Sequence, residues 1–329
     1  MKDDSFIFWI LLLVNGVSDA NQNAVNLTLM VGDSVTLNSG LSEISKEDTM
    51  RWFFKKEGQN EERIAEITGE KIRLDDLNGI FKDKLELEKK NAFLTITSIS
   101  SKNTGEYKLK KSENIIISFI VNVKDGVKNV PVIEGDSVTL HTGVILKRDV
   151  KWTFENRDLK PSDDQTGDLT ITNIDNHQSG NYVLEINNST MGLNRTYYIA
   201  LIDGVKKETV KEGNPVNLRT GLIEIKGYDL VLWKTKDVTV AEINKNKNKF
   251  LTLDKGDTRY GGRLDFIQQS GNLIIRDSRT TDSGDYDLQM NSSTYSLQRT
   301  IRVTVNNSGV ATGAATGIVV GLLVLHWCL

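Results

Sequence analysis

The sequence predicts an all-β chain built as three tandem two-sheet sandwiches, and three observations predict it. A turn followed by a tyrosine, with a leucine two residues further on, occurs three times: "KNTGEYKLK" around Tyr107, "HQSGNYVLE" around Tyr182 and "TTDSGDYDLQM" around Tyr286. Upstream of each, "VGDSVTLNSG", "IEGDSVTLHTG" and "KEGNPVNLRTG" recur, each followed at a similar distance by one tryptophan, Trp52, Trp152 and Trp233. Apolar and polar residues alternate in these pieces, as in Val35, Leu37 and Ser39 or Leu94 and Ile96, which is the period of a half-buried strand. Self-similarity of this kind marks a repeat.

Each element follows from these signals. A third shared piece, "FLTITSI", "DLTITNI" and "NLIIRDS", supplies a strand between tryptophan and tyrosine. The tryptophan and tyrosine stand at 52 and 107, 152 and 182, and 233 and 286, so the first and third repeats have room for two extra strands and the second does not. Short strands, turns such as Asn-Thr-Gly and Gln-Ser-Gly, and a tyrosine near the start of a late strand resemble the immunoglobulin superfamily. The resemblance covers nearly all of the chain after the leader, and it implies β-sandwiches with variable-like first and third domains and a shortened, constant-like second one.

In that family a cysteine on strand B bridges one on strand F, two residues after the tyrosine. Here strand B carries Ser39, Thr142 and Thr220, and strand F carries Leu109, Leu184 and Leu288. All three bridges are absent together, so the expected core is tryptophan, leucine and a hydroxyl that must find a backbone acceptor. In the third repeat Arg263 and Asp282 resemble the salt bridge that closes one end of many variable domains. The matching residues in the first are Lys84 and Asn103, which predicts none there.

The expected organisation is a signal peptide over residues 1–20, domain 1 over 21–125, domain 2 over 126–204, domain 3 over 205–306, and a membrane-attachment segment over 307–329. Lys2 before the apolar run Phe6 to Val14, and the small residues Ser18 and Ala20, are the leader signal. Small residues at Asn307, Ser308 and Gly309, a spacer to Gly317 and an apolar tail have the layout of a GPI attachment signal, with Asn307 as the attachment residue. A transmembrane helix is the other reading, though no Lys or Arg follows the tail. The expected location is the external side of the plasma membrane, reached through the secretory pathway. Sequons at Asn26, Asn187, Asn188, Asn194, Asn291 and Asn306 are candidate glycosylation sites.

Charge and composition exclude several classes. The formal charge is -3, and loss of Lys2, Asp3, Asp4 and Asp19 with the leader leaves it near zero, so nothing points to nucleic acid. Three histidines, His141, His177 and His326, stand without any nucleophile, phosphate-cradling or metal-ligand motif. The chain is expected to be no enzyme and to hold no cofactor or metal. The run "NKNKNK" at 244–249 reads as a solvated loop.

A membrane-distal variable-like domain over further sandwiches, with sequons and an anchor signal, resembles the signalling lymphocytic activation molecule (SLAM) family of lymphocyte adhesion receptors. It is especially similar to that family's GPI-anchored ligand member and to cysteine-poor relatives in bony fishes that carry "EGDSVTLHTG". The family has two domains and keeps cysteines in the membrane-proximal one, so three cysteine-free repeats depart from its pattern. The resemblance implies an adhesion ligand or receptor between immune cells, whose partner is another cell-surface immunoglobulin-superfamily protein, homophilic or heterophilic. The alternatives are a transmembrane signalling receptor with a truncated tail and a secreted structural or decoy glycoprotein. Alternation turns Trp52, Tyr107 and Leu109 inward, which leaves Arg51, Phe53, Glu106, Lys108 and Lys110 outward as the candidate partner-binding residues of domain 1.

Overall fold

A computed structural model describes residues 24–143, 149–252 and 259–307. The expected leader and nearly all of the expected attachment segment lie outside these residues; Asn307, the last described residue, is exposed. Among the described residues no helix is long and apolar enough to cross a membrane.

The first repeat contains β1 (Val25–Met30), β2 (Ser34–Leu37), β3 (Thr49–Lys55), β4 (Glu62–Thr68), β5 (Lys71–Leu74), β6 (Leu85–Leu87), β7 (Leu94–Ile96), β8 (Gly105–Lys111) and β9 (Asn114–Lys124). The second contains β10 (Asn129–Val132), β11 (Ser137–Leu140), β12 (Val150–Phe154), β13 (Arg157–Leu159), β14 (Leu169–Ile171), β15 (Gly180–Asn187) and β16 (Met191–Leu201). The third contains β17 (Lys207–Lys211), β18 (Val216–Leu218), β19 (Tyr228–Thr235), β20 (Val238–Asn244), β21 (Lys249–Thr252), β22 (Leu264–Ile267), β23 (Asn272–Ile275), β24 (Gly284–Ser292) and β25 (Tyr295–Asn306). This is the immunoglobulin-like strand sequence three times over. Repeats 1 and 3 carry the two extra strands, β4 with β5 and β20 with β21, where repeat 2 has β13 alone.

The chain divides into two compact units, and repeat 2 contributes to both. Of the described residues, unit 1 holds those of repeat 1 with those within 140–169 and 180–198, and unit 2 holds 129–139 and 170–179 with those from Ile199 to Asn307. In unit 1 the sheet β1-β9-β8-β3-β4-β5 faces strands β2, β7 and β6, and in unit 2 the sheet through β25-β24-β19-β20-β21 faces β18-β23-β22. Alternation sorts the side chains: along β25 every second residue from Tyr295 to Val305 is buried.

Strand pairing joins neighbouring repeats. Within unit 1, β16 of repeat 2 lies antiparallel to β2 of repeat 1, with Met191 opposite Leu37 and Asn194 opposite Ser34. Within unit 2, β25 of repeat 3 lies beside β11 of repeat 2. At each seam strand B of one repeat thus continues into strand G of the next.

A buried ion cluster closes each seam. Asp33, in the turn between β1 and β2, accepts from the backbone N–H of Met30 at 2.8 Å, from Arg195 Nε at 3.0 Å and Nη2 at 2.8 Å, and from Lys128 Nζ at 2.7 Å. Asp136 repeats the pattern one repeat later, accepting from Ile133 N–H at 2.8 Å, Arg299 Nε at 3.1 Å and Nη2 at 2.8 Å, with Lys206 Nζ at 3.3 Å. Each arginine spends its remaining nitrogen on a backbone carbonyl, Arg195 on Thr142 at 2.8 Å and Arg299 on Thr220 at 2.7 Å. Both aspartates are fully buried. Burial works against the charge of Arg195, but the hydrogen bonds and charge of Asp33 outweigh it and raise its pKa above the ordinary arginine range. Where no seam follows or precedes among the described strands, the residues change. Asn214 and Pro215 stand at the places of Asp33 and Ser34, and Ile117 stands opposite Leu109 where Arg299 stands opposite Leu288.

The three cores answer the missing disulfide in the same way. Trp52, Trp152 and Trp233 are buried and stand directly opposite Leu109, Leu184 and Leu288 on the neighbouring strand. The hydroxyls of Ser39, Thr142 and Thr220 donate to the carbonyls of Asn91, Thr166 and Ser270 at 2.5, 2.8 and 2.7 Å. Each tryptophan Nε1 donates at 2.8 Å to the next carbonyl along, that of Ala92, Gly167 or Gly271. That next residue has φ of 58, 72 or 71°, so the turn presents two successive carbonyls inward and favours glycine in two of three cases.

Two stability measurements test these interactions. Asp33→Asn leaves Arg195 buried without its counter-charge and is expected to cost about 3–5 kcal/mol in urea unfolding. The double variant Asp33→Asn with Arg195→Ile, which copies the residues at the two unseamed strands, is expected to cost clearly less than that single change. Thr220→Val removes a buried donor at constant shape and is expected to cost about 1–3 kcal/mol, while added reductant leaves every melting temperature unchanged.

Candidate protein-binding face of repeat 1

Strands β3, β8 and β4 lie side by side, which sets Arg51 opposite Lys110 and Glu66, and Phe53 opposite Lys108 and Arg63. Bulges after Trp52 against β4 and after Leu109 against β9 shift the register, and the second leaves Ile116 unpaired between Ile115 and Ile117. The structure brings Arg51, Phe53, Glu106, Lys108 and Lys110 together on the outward face. It also corrects their exposure: all five are half-buried, in contact with one another and with Glu61 and Glu66.

Lys110 Nζ lies 4.5 Å from the centre of the Phe53 ring and bonds Glu61. Lys108 Nζ is 2.9 Å from Glu106 and 3.6 Å from Glu61. Burial opposes its charge, but Glu106 and Glu61 prevail and raise its pKa. Arg51 Nε donates to Glu66 at 2.5 Å, and Arg63 joins Glu66 at 3.0 Å to Asp75 at 3.3 Å. The hydrogen bond from Arg51, reinforced by Arg63, holds the Glu66 carboxyl below the usual glutamate range. The face is therefore an aromatic ring under an ammonium, set in a closed lattice of opposite charges. Glu61, Arg63, Glu66 and Asp75 were not among the sequence-based candidates. For Glu61, Arg63 and Glu66 the signal was the charged positions of "EERIAEIT", visible only once β4 is placed beside β3; Asp75 follows β5 and joins them only through the fold.

Asn26 shares this sheet. It is exposed and lies opposite Ile120, which lies opposite Glu106, so a glycan at Asn26 would stand at the rim of the face. Of the other sequon residues, Asn187, Asn194 and Asn306 are exposed, while Asn188 and Asn291 are half-buried. Asn188 Oδ1 accepts from the N–H groups of Thr190 and Met191, both at 2.8 Å, which ties it into its turn. At the end of repeat 3 the expected salt bridge is present, Arg263 gripping Asp282 through two bonds of 2.7 and 3.0 Å. In repeat 1 Asn103 instead bonds Ser100 and Ile80, and Lys84 bonds the carbonyl of Ser98.

No family model matches the chain. Among solved structures it is similar to extracellular domains 3–5 of Drosophila OTK, 18% identical over 86% of this chain and 94% of that one, with a TM-score of 0.20. It is also similar to CD84 of the SLAM family, 19% identical over 32% and 99% with a TM-score of 0.26. The extracellular domains of the voltage-gated sodium channel β4 subunit, described for a role in cell-cell adhesion, are 15% identical over 34% and 95% with a TM-score of 0.26. With scores this low, the immunoglobulin-like assignment rests on the strand order and pairing described above.

The lowered carboxyl of Glu66 makes one pH prediction. A group held below its unfolded value stabilises the fold above the ordinary carboxylate range and loses that contribution as pH falls through its folded value. The melting temperature of the wild type should therefore fall on acidification below about pH 4.3, and Glu66→Gln should flatten that slope while lowering the value at neutral pH.

Proposed function

We propose that this chain is a cell-surface glycoprotein of the immunoglobulin superfamily that acts as an adhesion ligand or receptor between immune cells. Binding runs through repeat 1, whose face of β3 and β8 meets another cell-surface immunoglobulin-superfamily protein, homophilic or heterophilic. The single observation that carries this is the ordered outer face around Phe53, Lys108 and Lys110, where an aromatic centre lies inside a rim of fixed charges of both signs. The leader signal, the sequons and the attachment signal at Asn307 support delivery to the outside of the plasma membrane, and the SLAM-like motifs support the immune setting.

Charge complementarity sets specificity and association rate more than affinity, so the test reverses charge at the centre of the face. Lys110→Glu and Phe53→Ala, expressed on cells, are expected to reduce adhesion without lowering surface expression. Lys110→Glu with Glu61→Lys rebuilds the pair in the opposite sense. That double variant should regain the stability lost by Lys110→Glu and still fail to adhere. Adhesion unchanged in all three variants would place binding elsewhere.

A further inference from the structure

We propose that repeat 3 holds a binding groove for an acidic glycan, formed where the "NKNKNK" run meets β21 and the turn after β22. The groove has a volume of about 420 Å³, within the range of ligand sites. Its apolar side is Ile225, Ile243 and Phe250. Phe250 is 47% exposed, and Phe266 stacks on it at 5.5 Å with the rings 10° from parallel, so the chain holds a large aromatic open to solvent in a fixed orientation. A rigid aromatic face of this kind suits the C–H face of a sugar ring.

Facing it are the side-chain amides of Asn248, Gln268 and Gln269, none of which bonds a protein group among the described residues. Amides offer a donor and an acceptor each, as sugar hydroxyls require. Lys226 and Lys245 add positive charge at the rim, against one lining carboxylate, Glu224. Lys249 is already committed to Glu242 at 2.5 Å. The cations give the groove its preference for a sugar bearing carboxylate or sulfate.

Repeat 1 has the same groove in the same place, and the contrast is informative. The N–H of Ile44 donates to the carbonyl of Lys90 at 2.8 Å, as the N–H of Ile225 donates to that of Gln269 at 2.8 Å. In repeat 1, however, Glu70 pairs with both Lys46 and Lys89 across the opening, and the volume is about 290 Å³. Repeat 3 puts glutamines where repeat 1 has Lys89 and Lys90, which leaves no ion pair like that of Glu70 across its opening; Lys245 Nζ donates to the carbonyl of Ile225 at 3.3 Å and has no carboxylate partner among the described residues.

The test uses the full chain on transfected cells and two fluorescent probes, a heparin-derived oligosaccharide for the sulfate source and a multivalent sialyllactose for the carboxylate source. Wild type is expected to bind one of them, more weakly as salt rises. Phe250→Ala and the double variant Lys226→Gln with Lys245→Gln are each expected to lose about tenfold in affinity, with surface expression unchanged. Lys89→Gln in repeat 1 is expected to leave binding intact. Binding of neither probe by wild type, or equal binding by wild type and both groove variants, overturns the proposal. The repeat 1 adhesion variants leave this groove intact, so the two readings fail separately.

Discussion

The bidentate contact of a buried arginine with a buried aspartate is the constraint on which the architecture depends. A guanidinium on strand G can be buried only if a carboxylate meets it, and Asp33 and Asp136 reach that place only from the preceding repeat. Satisfying the ion forces strand B of one repeat against strand G of the next, and the sheet continues across the seam. The lysine that opens the next repeat, Lys128 or Lys206, completes the cluster, so the linker is fixed by the same carboxylate. An apolar seam could slide along its strands, whereas a charge pair with one solution cannot, and register is what a continuous sheet needs.

The same economy explains how the cores dispense with cystine. A disulfide would tie strand B to strand F; here the hydroxyl two residues past the end of strand B is tied to a turn, and the tryptophan beside strand F is tied to the adjoining carbonyl of that turn. The link between the sheets is thus two hydrogen bonds on consecutive peptide groups, with leucine filling the sulfur volume. It also reaches the seam, because the backbone carbonyls of Thr142 and Thr220 are the ones that Arg195 and Arg299 take. Core and seam share residues, and a change at either is felt by both.

How much of this was legible follows from which periods a sequence carries. The tryptophan, leucine and hydroxyl positions were readable because alternation decides inward from outward within one strand. So were the extra strands of repeats 1 and 3, from the spacing of Trp52 to Tyr107 and Trp233 to Tyr286. The seams were not read, yet a signal existed: Leu193, Arg195 and Tyr197 alternate inward, as do Leu297, Arg299 and Ile301, and an inward arginine demands a counter-charge. Local pattern cannot say which repeat supplies it. On the face of repeat 1, the cations of β3 and β8 were visible, but Glu66 of β4 and its neighbours Glu61 and Asp75 were not, since the register that joins them is a property of the folded sheet.

The two kinds of charge in this chain imply different things about a partner. Asp33 and Arg195 are withdrawn from solvent and satisfied within the chain, so they have nothing left to offer. Lys108 and Lys110 are satisfied too, but at a half-exposed surface, where a partner can exchange one carboxylate for another. To reach Phe53, an incoming surface must displace the ammonium of Lys110 from the ring, and that ammonium is shared with Glu61. Displacement by an apolar group alone would strand the lysine at a drying interface, which is costly. A partner suited to this face therefore brings an apolar group for Phe53 together with an acid that takes over Lys110, and one lacking the acid is rejected by the desolvation it leaves unanswered.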